Sequence, residues 1–371
     1  MGGPAIRAAP GGVCPDAIKN PGASSRHASP KMIQKRHLGR TGLRVSELCL
    51  GTLNFGWKTD DAASLAILDA FHEAGGTFLQ ATAVSPSIAL PSVSTNYSEE
   101  VIGKWWTSRG VERRDLVLAT RIDVRRTRTP GERLTDVVCA RVRESMRRLQ
   151  TDYLDLLVLE WSEDLLPIGE ALEAFGAVVH SCHVRYLATA NFPAWRVMDC
   201  VSRAFQRNAC RMEALQAEYS LMTRARFEPE VMRLCEELKL GFLATLPLAG
   251  GFLTRRAPGV FGSLGGREWV PQRFDYAYGD AALGALEAVA VRHGATPAQV
   301  ALAWVLANPT VASAVVGVRS VTELRELVQA SELELASAEL EELANATAAE
   351  AVFIPPPSVG REARVPSPSG V

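Results

Sequence analysis

Two side chains in this sequence close short apolar runs, where a fold can present a polar group to a cleft. Glu160 ends the run YLDLLVLE (153–160) and is followed by Trp161, and Arg121 ends DLVLATR (115–121). A carboxylate at the end of a buried run must be ion-paired or carry a raised pKa, which is what a general acid or base requires. Arg121 could grip a substrate carboxylate or phosphate with its two-pronged guanidinium, or satisfy Glu160 or Asp123. Tyr97, at the end of SPSIALPSVSTNY (85–97), offers a phenol for proton donation, or stands as a loop aromatic. Metal and thiol chemistry find less support. His72, His180, His183 and His293 show no ligand spacing. The seven cysteines, an odd number without any Cys-x-x-Cys, read as reduced thiols rather than a disulfide frame or zinc site. The basic runs RVRESMRRLQ and RRTRTPGER read as solvated faces.

The elements that must position these groups follow from the hydropathy pattern. The 371 residues are 47% hydrophobic and 22% charged, enough apolar content for a large core. Lys+Arg of 40 against Asp+Glu of 41 leaves a formal net charge of -1, which gives no electrostatic reason to bind nucleic acid. No apolar run reaches the roughly 18 to 20 residues that cross a bilayer, and the first residues lack a secretory pattern, so a cytoplasmic protein is expected, with no membrane role. Residues 1–33 and the Pro-rich 351–371 read as disordered tails around a folded unit at 34–350. Inside it, β-rich runs at 48–53, 77–81, 115–121, 153–160, 184–190, 212–218, 241–246 and 311–317 alternate with longer amphipathic stretches. Helices are expected at 60–74, 98–108, from Leu134 to before Thr151, and at 168–180, 193–206, 227–239, 281–307 and 321–333.

Runs apolar on both faces need helices outside and a packed interior within, which predicts an α/β protein with a closed (β/α)8 TIM barrel. A doubly wound sheet is the alternative, weakened because GTLNFG stands where Gly-x-Gly-x-x-Gly would follow the first strand. The segment RHLGRTGLRVSELCLG reads as an N-terminal hairpin turning at Arg40-Thr41-Gly42 and plugging the barrel's bottom. In such a barrel, chemistry belongs at the C-terminal ends of the strands.

In chain order, LGRTGLRVSELCLGTLNFG, SEEVIGKW, RDLVLATR, SMRRLQTDYLDLLVLEW, VRYLATANFPAW, LQAEYSL, LPLAGGFLT and VVGVRS resemble the aldo-keto reductases over roughly 37–333. The resemblance implies a barrel that binds NADP(H) across its top and reduces carbonyls with an Asp, Tyr, Lys and His tetrad. Here those four positions carry Gln80, Ser85, Arg121 and Glu160. The reductase chemistry needs a phenol acidified by a neighbouring ammonium, so that it protonates the alkoxide as hydride arrives. Serine is far less acidic and arginine keeps its proton, so none of the four reproduces that donor. Steroid 5β-reductases also carry Glu at the histidine position but keep the Tyr and Lys, which supports a changed reaction rather than that one. The same mapping puts Asn54, Trp57, Trp161 and Tyr219 near the barrel top as substrate contacts.

For the cofactor, the resemblance places Asn191 and Gln216 at the nicotinamide carboxamide, Leu248, Gly250 and Gly251 by the pyrophosphate, and Gly317, Arg319 and Ser320 at the 2′-phosphate. Ala190 and Leu246 replace serines, Thr245 replaces the ring that stacks on the nicotinamide, and Glu323 and Leu327 stand near the adenine. Each loss costs on the order of 1 kcal/mol, so NADPH is expected to bind more weakly than about 100 μM. Three functions are consistent with this. The leading expectation is a repurposed small-molecule enzyme of a secondary-metabolite pathway, of lyase or isomerase type. It would perform a non-redox dehydration, isomerisation or cyclisation with Glu160 as acid or base and no required cofactor. The second is an NADPH-dependent oxidoreductase with a non-standard proton donor, Tyr97 first. The third is a catalytically silent subunit that binds a protein partner or assembles with copies of itself.

Overall fold

The computed structural model describes Gly2 and residues 32–56, 58–83, 97–123, 131–160, 167–181, 183–254 and 277–347. Eight parallel strands close into a barrel: β3 (Leu48–Gly51), β4 (Phe78–Ala83), β5 (Val117–Asp123), β6 (Leu154–Glu160), β7 (Val184–Ala190), β8 (Met212–Glu218), β9 (Gly241–Thr245) and β10 (Val311–Val316), with β10 pairing back to β3. All eight expected runs are strands, and the barrel is the expected (β/α)8 type. Side-chain alternation builds it. Cys49, Phe78, Val117, Ala119, Leu156, Val158, Ala188, Ala214 and Leu243 form an inner core, while Leu50, Leu79, Leu118, Leu157, Leu159, Leu187, Leu215 and Phe242 face outward into a second core with the helices.

The hairpin, β1 (Lys35–His37) paired antiparallel with β2 (Arg44–Ser46), brings Leu38, Leu43 and Val45 into that inner core. The Thr41 hydroxyl donates to the Leu38 carbonyl at 2.6 Å and tightens the turn. Gly39 has φ +53, and a Cβ there would lie 2.3 Å from the Gly241 backbone nitrogen, so only glycine lets the turn press against the start of β9. Ile33 is also buried and its N–H bonds the Ala74 carbonyl. Apart from Gly2, Met32 and Ile33, the expected tails lie outside the described residues.

The helices over the first five repeats are α1 (Asp61–Glu73), α2 (Tyr97–Arg109), α3 (Leu134–Leu149), α4 (Ile168–Ser181) and α5 (Ala194–Gln206). A buried pair ties three layers together: Arg148 of α3 reaches Glu99 of α2 at 2.7 Å, and Glu99 accepts from the Thr120 hydroxyl of β5. Two helical expectations need correction, and one helix was not expected. The stretch 227–239 is regular only in part: α6 (Arg224–Phe227) passes through a π-helical turn, Glu228–Met232, into α7 (Arg233–Leu238). The single helix expected at 281–307 is two, α8 (Ala277–His293) and α9 (Pro297–Ala307). Gly294 at φ +60 ends the first, and Thr296, exchanging hydrogen bonds with Gln299 ahead of Pro297, starts the second. After α10 (Val321–Gln329) comes α11 (Ser337–Ala346), which was not expected and is tied to α8 through Arg292 and His293 on Glu339 and Glu342. No helix among the described residues is long and apolar enough to cross a membrane.

Candidate functional site

Strand parity decides which side chains face the barrel mouth. Counting outward from the inner core, Gln80 and Thr82 on β4, Arg121 on β5, Glu160 on β6, Ala190 on β7, Gln216 and Glu218 on β8, and Thr245 on β9 share the inward face. Two polar pairs dominate that layer. Arg121 donates through Nε at 3.1 Å and Nη2 at 2.5 Å to the same carboxylate oxygen, Oε2 of Glu160. The side chains keep 28% and 19% exposure, so the pair sits at the water boundary rather than in the dry core. Oε1 of Glu160 faces the Asn191 amide, which donates at 3.5 Å. Asn191 holds a left-handed backbone, φ 60, and its N–H donates to the Gln216 carbonyl at 2.7 Å.

The second pair lies deeper. Gln80 Nε2 donates to Gln216 Oε1 at 3.1 Å, and Gln216 Nε2 returns a bond to Gln80 Oε1 at 2.7 Å. Both amides are buried, and the reciprocal geometry commits a donor and the acceptor oxygen of each. Of the candidate catalytic residues, the structure thus brings Arg121 and Glu160 together at the rim and sets Gln80 on Gln216 beneath it.

Tyr97 is the first residue of α2, and not a loop residue. Its ring fills the space beside Gly56, whose φ of +71 and lack of a Cβ make the contact possible, and its phenol donates to Asp61 in the first turn of α1. That bond holds the proton that the candidate donor role would use. Tyr219 also departs from expectation. It follows β8 with outward parity and is 1% exposed among Phe227, Phe242 and Trp304. Its hydroxyl donates to Glu228 at 3.1 Å and accepts from Asn308 at 3.0 Å. Burial pushes the phenol well above its ordinary value, and the ring packs among aromatics behind the strand rather than on the barrel's inward face. Ser85, Trp57 and Trp161 lie outside the described residues. Sequence reasoning missed Glu218, a half-buried carboxylate at the inward end of β8, although the parity of Ala214 and Gln216 points to it.

A second constellation follows β9 and β10, which are adjacent and parallel. In the loop after β9, Leu246 (φ 51), Ala249 (φ 50), Gly250 (φ 70) and Gly251 (φ 102) are all left-handed, and the Leu248 carbonyl accepts from Gly251. After β10, Gly317 is exposed and Ser320 caps α10, its hydroxyl accepting from the Glu323 N–H at 3.2 Å. The Glu323 carboxylate accepts from the Arg319 backbone N–H at 2.9 Å and from its Nη2 at 3.2 Å. Between the two constellations, Asn54 Oδ1 is buried without a hydrogen-bond partner among the described residues. Its amide nitrogen lies 3.8 Å from the point where a Cβ on Gly317 would stand.

Comparison with known proteins agrees with this architecture. Residues 47–348 match the model of the aldo/keto reductase family. The chain is 33% identical over 307 residues to the uncharacterized oxidoreductase YrpG of Bacillus subtilis, covering 81% of this chain and 91% of that protein. It is 29% identical over 325 residues to a norsolorinic acid reductase of Aspergillus flavus, covering 82% and 78%. Protein tas of Escherichia coli is 27% identical over 337 residues, covering 84% and 96%. With its barrel closed and the family model matched over residues 47–348, from just before β3 to the end of α11, the chain belongs to the aldo/keto reductase family.

Proposed function

We propose that the chain is an oxidoreductase acting on a small molecule, with a nicotinamide dinucleotide laid across the barrel mouth and Glu160, positioned by Arg121, handling the proton. The observation that carries this reading is the loop after β9, where four of six residues are left-handed and two of them, Leu246 and Ala249, are not glycine. Each such residue costs on the order of 1 kcal/mol, and that strain persists where a site needs backbone N–H groups turned to one side. The loops after the last two strands of a (β/α)8 barrel, with a helix N-terminus beside them, are where such barrels hold phosphate. The names of the relatives, an oxidoreductase and a norsolorinic acid reductase, favour redox chemistry as well.

The residues present fit the phosphate and ribose part of a dinucleotide. The left-handed loop would offer the backbone donors not already spent on its own carbonyls, Ala249 and Gly251 giving theirs to Leu246 and Leu248, while Gly317 leaves the approach open and the unpartnered Asn54 oxygen awaits a hydroxyl. At the other end Asn191 remains to hold the carboxamide, with Thr245 giving no stacking ring. When bound, the dinucleotide supplies or accepts hydride. The chain's own part is proton handling. Arg121 holds Oε2 of Glu160 and Asn191 stands beside Oε1; from there the carboxylate would take a proton from a substrate hydroxyl as hydride leaves its carbon, or return it to a carbonyl oxygen as hydride arrives. Ser85 and Tyr97 are not needed for that step. One observation favours a second reading, the non-redox acid–base step: the Gln80–Gln216 lock removes an amide that would otherwise hold the nicotinamide. Titration with NADH and NADPH, followed by energy transfer from tryptophan to the nicotinamide, tests the choice. Saturable binding of one of them below about 1 mM is expected. No binding of either would overturn the oxidoreductase reading.

A further inference from the structure

We propose that Glu323 sets the cofactor preference of this site, selecting a ribose with a free 2′-hydroxyl over one carrying a 2′-phosphate, and so NADH over NADPH. The inference rests on the dinucleotide reading above. Arg319 is the cation beside the N-terminus of α10, and there it could neutralise a phosphate. In this chain its backbone N–H and one of its guanidinium nitrogens are already engaged by Glu323. The backbone N–H donates to Oε2 of Glu323 at 2.9 Å and the guanidinium Nη2 to Oε1 at 3.2 Å. Arg319 and Glu323 keep 31% and 21% side-chain exposure, so solvent, and with it a ligand, can reach the pair.

The charge count follows directly. A 2′-phosphate carries close to two negative charges near neutral pH. To reach Arg319 it must displace the carboxylate or lie beside it, and like charges a few ångströms apart repel. A 2′-hydroxyl meets the opposite situation, since it donates to the carboxylate without breaking the ion pair. An acidic side chain accepting from the ribose 2′-hydroxyl is how doubly wound sheets prefer the unphosphorylated nucleotide, and the same chemistry would act at Glu323. The carboxylate also holds the turn into α10, accepting from the Arg319 N–H one residue before the cap that the Ser320 hydroxyl makes on the Glu323 N–H. Glutamine keeps that cap and removes the charge, which makes Glu323→Gln the discriminating variant.

The experiment is calorimetric titration of wild type and Glu323→Gln with NADH and with NADPH, at low and at moderate salt. Wild type is expected to bind NADH about tenfold more tightly than NADPH, with the ratio shrinking as salt screens the repulsion. Glu323→Gln should lower that ratio by about tenfold, mainly by tightening NADPH, with an unchanged far-ultraviolet spectrum. Wild type binding NADPH as tightly as NADH, or a ratio unmoved by the substitution, would overturn the inference and leave Glu323 as a helix cap. Binding of neither nucleotide would remove the proposed cofactor and this inference with it.

Discussion

Replacing Glu160 by Gln separates a reacting group from a structural one, and the structure sets the size of each effect. If both members of the pair were buried, removing the carboxylate charge would cost about 3 to 5 kcal/mol by stranding Arg121. The side chains are instead 28% and 19% exposed, and water can solvate the guanidinium left behind. The cost should therefore fall toward the range of exposed pairs, to about 1 to 2 kcal/mol, which for a domain of this size lowers the melting temperature by about 2 to 4 °C. Glu99→Gln supplies the contrast, because Glu99 and Arg148 are 0% and 7% exposed. Breaking that pair should cost about 3 to 5 kcal/mol and roughly 6 to 10 °C. For function the order reverses. Losing a proton-transfer group reduces rate by about 10² to 10⁴, so a producing organism carrying Glu160→Gln should lose the product, while protein purified from it melts almost normally. Differential scanning calorimetry and the organism's metabolite profile read the two quantities separately. A Glu160→Gln protein as destabilised as Glu99→Gln, in an organism with an unchanged profile, would refute the catalytic role.

Gln80→Leu should cost about 1 to 3 kcal/mol in urea unfolding by leaving the buried Gln216 amide unpaired, and Gln80→Leu/Gln216→Leu should recover part of that loss. Tyr219→Phe should destabilise by about 1 kcal/mol through the lost bonds to Glu228 and Asn308, with nucleotide affinity unchanged in the same titration. The carboxyl of Glu339 is lowered from the ordinary 4.5 to about 2, first by the hydrogen bond from His293 and then by the Ala336 N–H. Its contribution is therefore present above about pH 4.5 and lost as pH falls toward 2. Melting temperatures measured across that window should fall less steeply in Glu339→Gln than in wild type.

The barrel strands were legible in the sequence because each is a short apolar run bounded by polar or glycine-containing segments, and alternation then fixes which residues line the mouth. Arg121 and Glu160 were legible together for the same reason, being the ends of neighbouring strands. The alternation also carried information that mapping by resemblance passed over: one step along β8 separates inward Glu218 from outward Tyr219. The break between α8 and α9 is written in Gly294-Ala295-Thr296-Pro297, but uninterrupted apolar spacing on both sides concealed it. Helix α11 buries only Leu343 and is held by charges from α8, so it leaves little hydrophobic period to find. The Gln80–Gln216 lock and the capture of Arg319 by Glu323 depend on side-chain rotamers. For the first pair, partners 136 positions apart in the chain also had to be brought together before the contact existed.

The central claim, a redox reaction at the rim pair, is tested most directly by following hydride. Purified protein is given NADH or NADPH deuterated at the transferable position, together with small-molecule extract from the producing organism, and the products are read by mass spectrometry. Deuterium appearing in one metabolite with wild type and absent with Glu160→Gln is the predicted result. A wild-type product that forms without deuterium, whichever nucleotide is supplied, would contradict the claim and establish the non-redox step in its place.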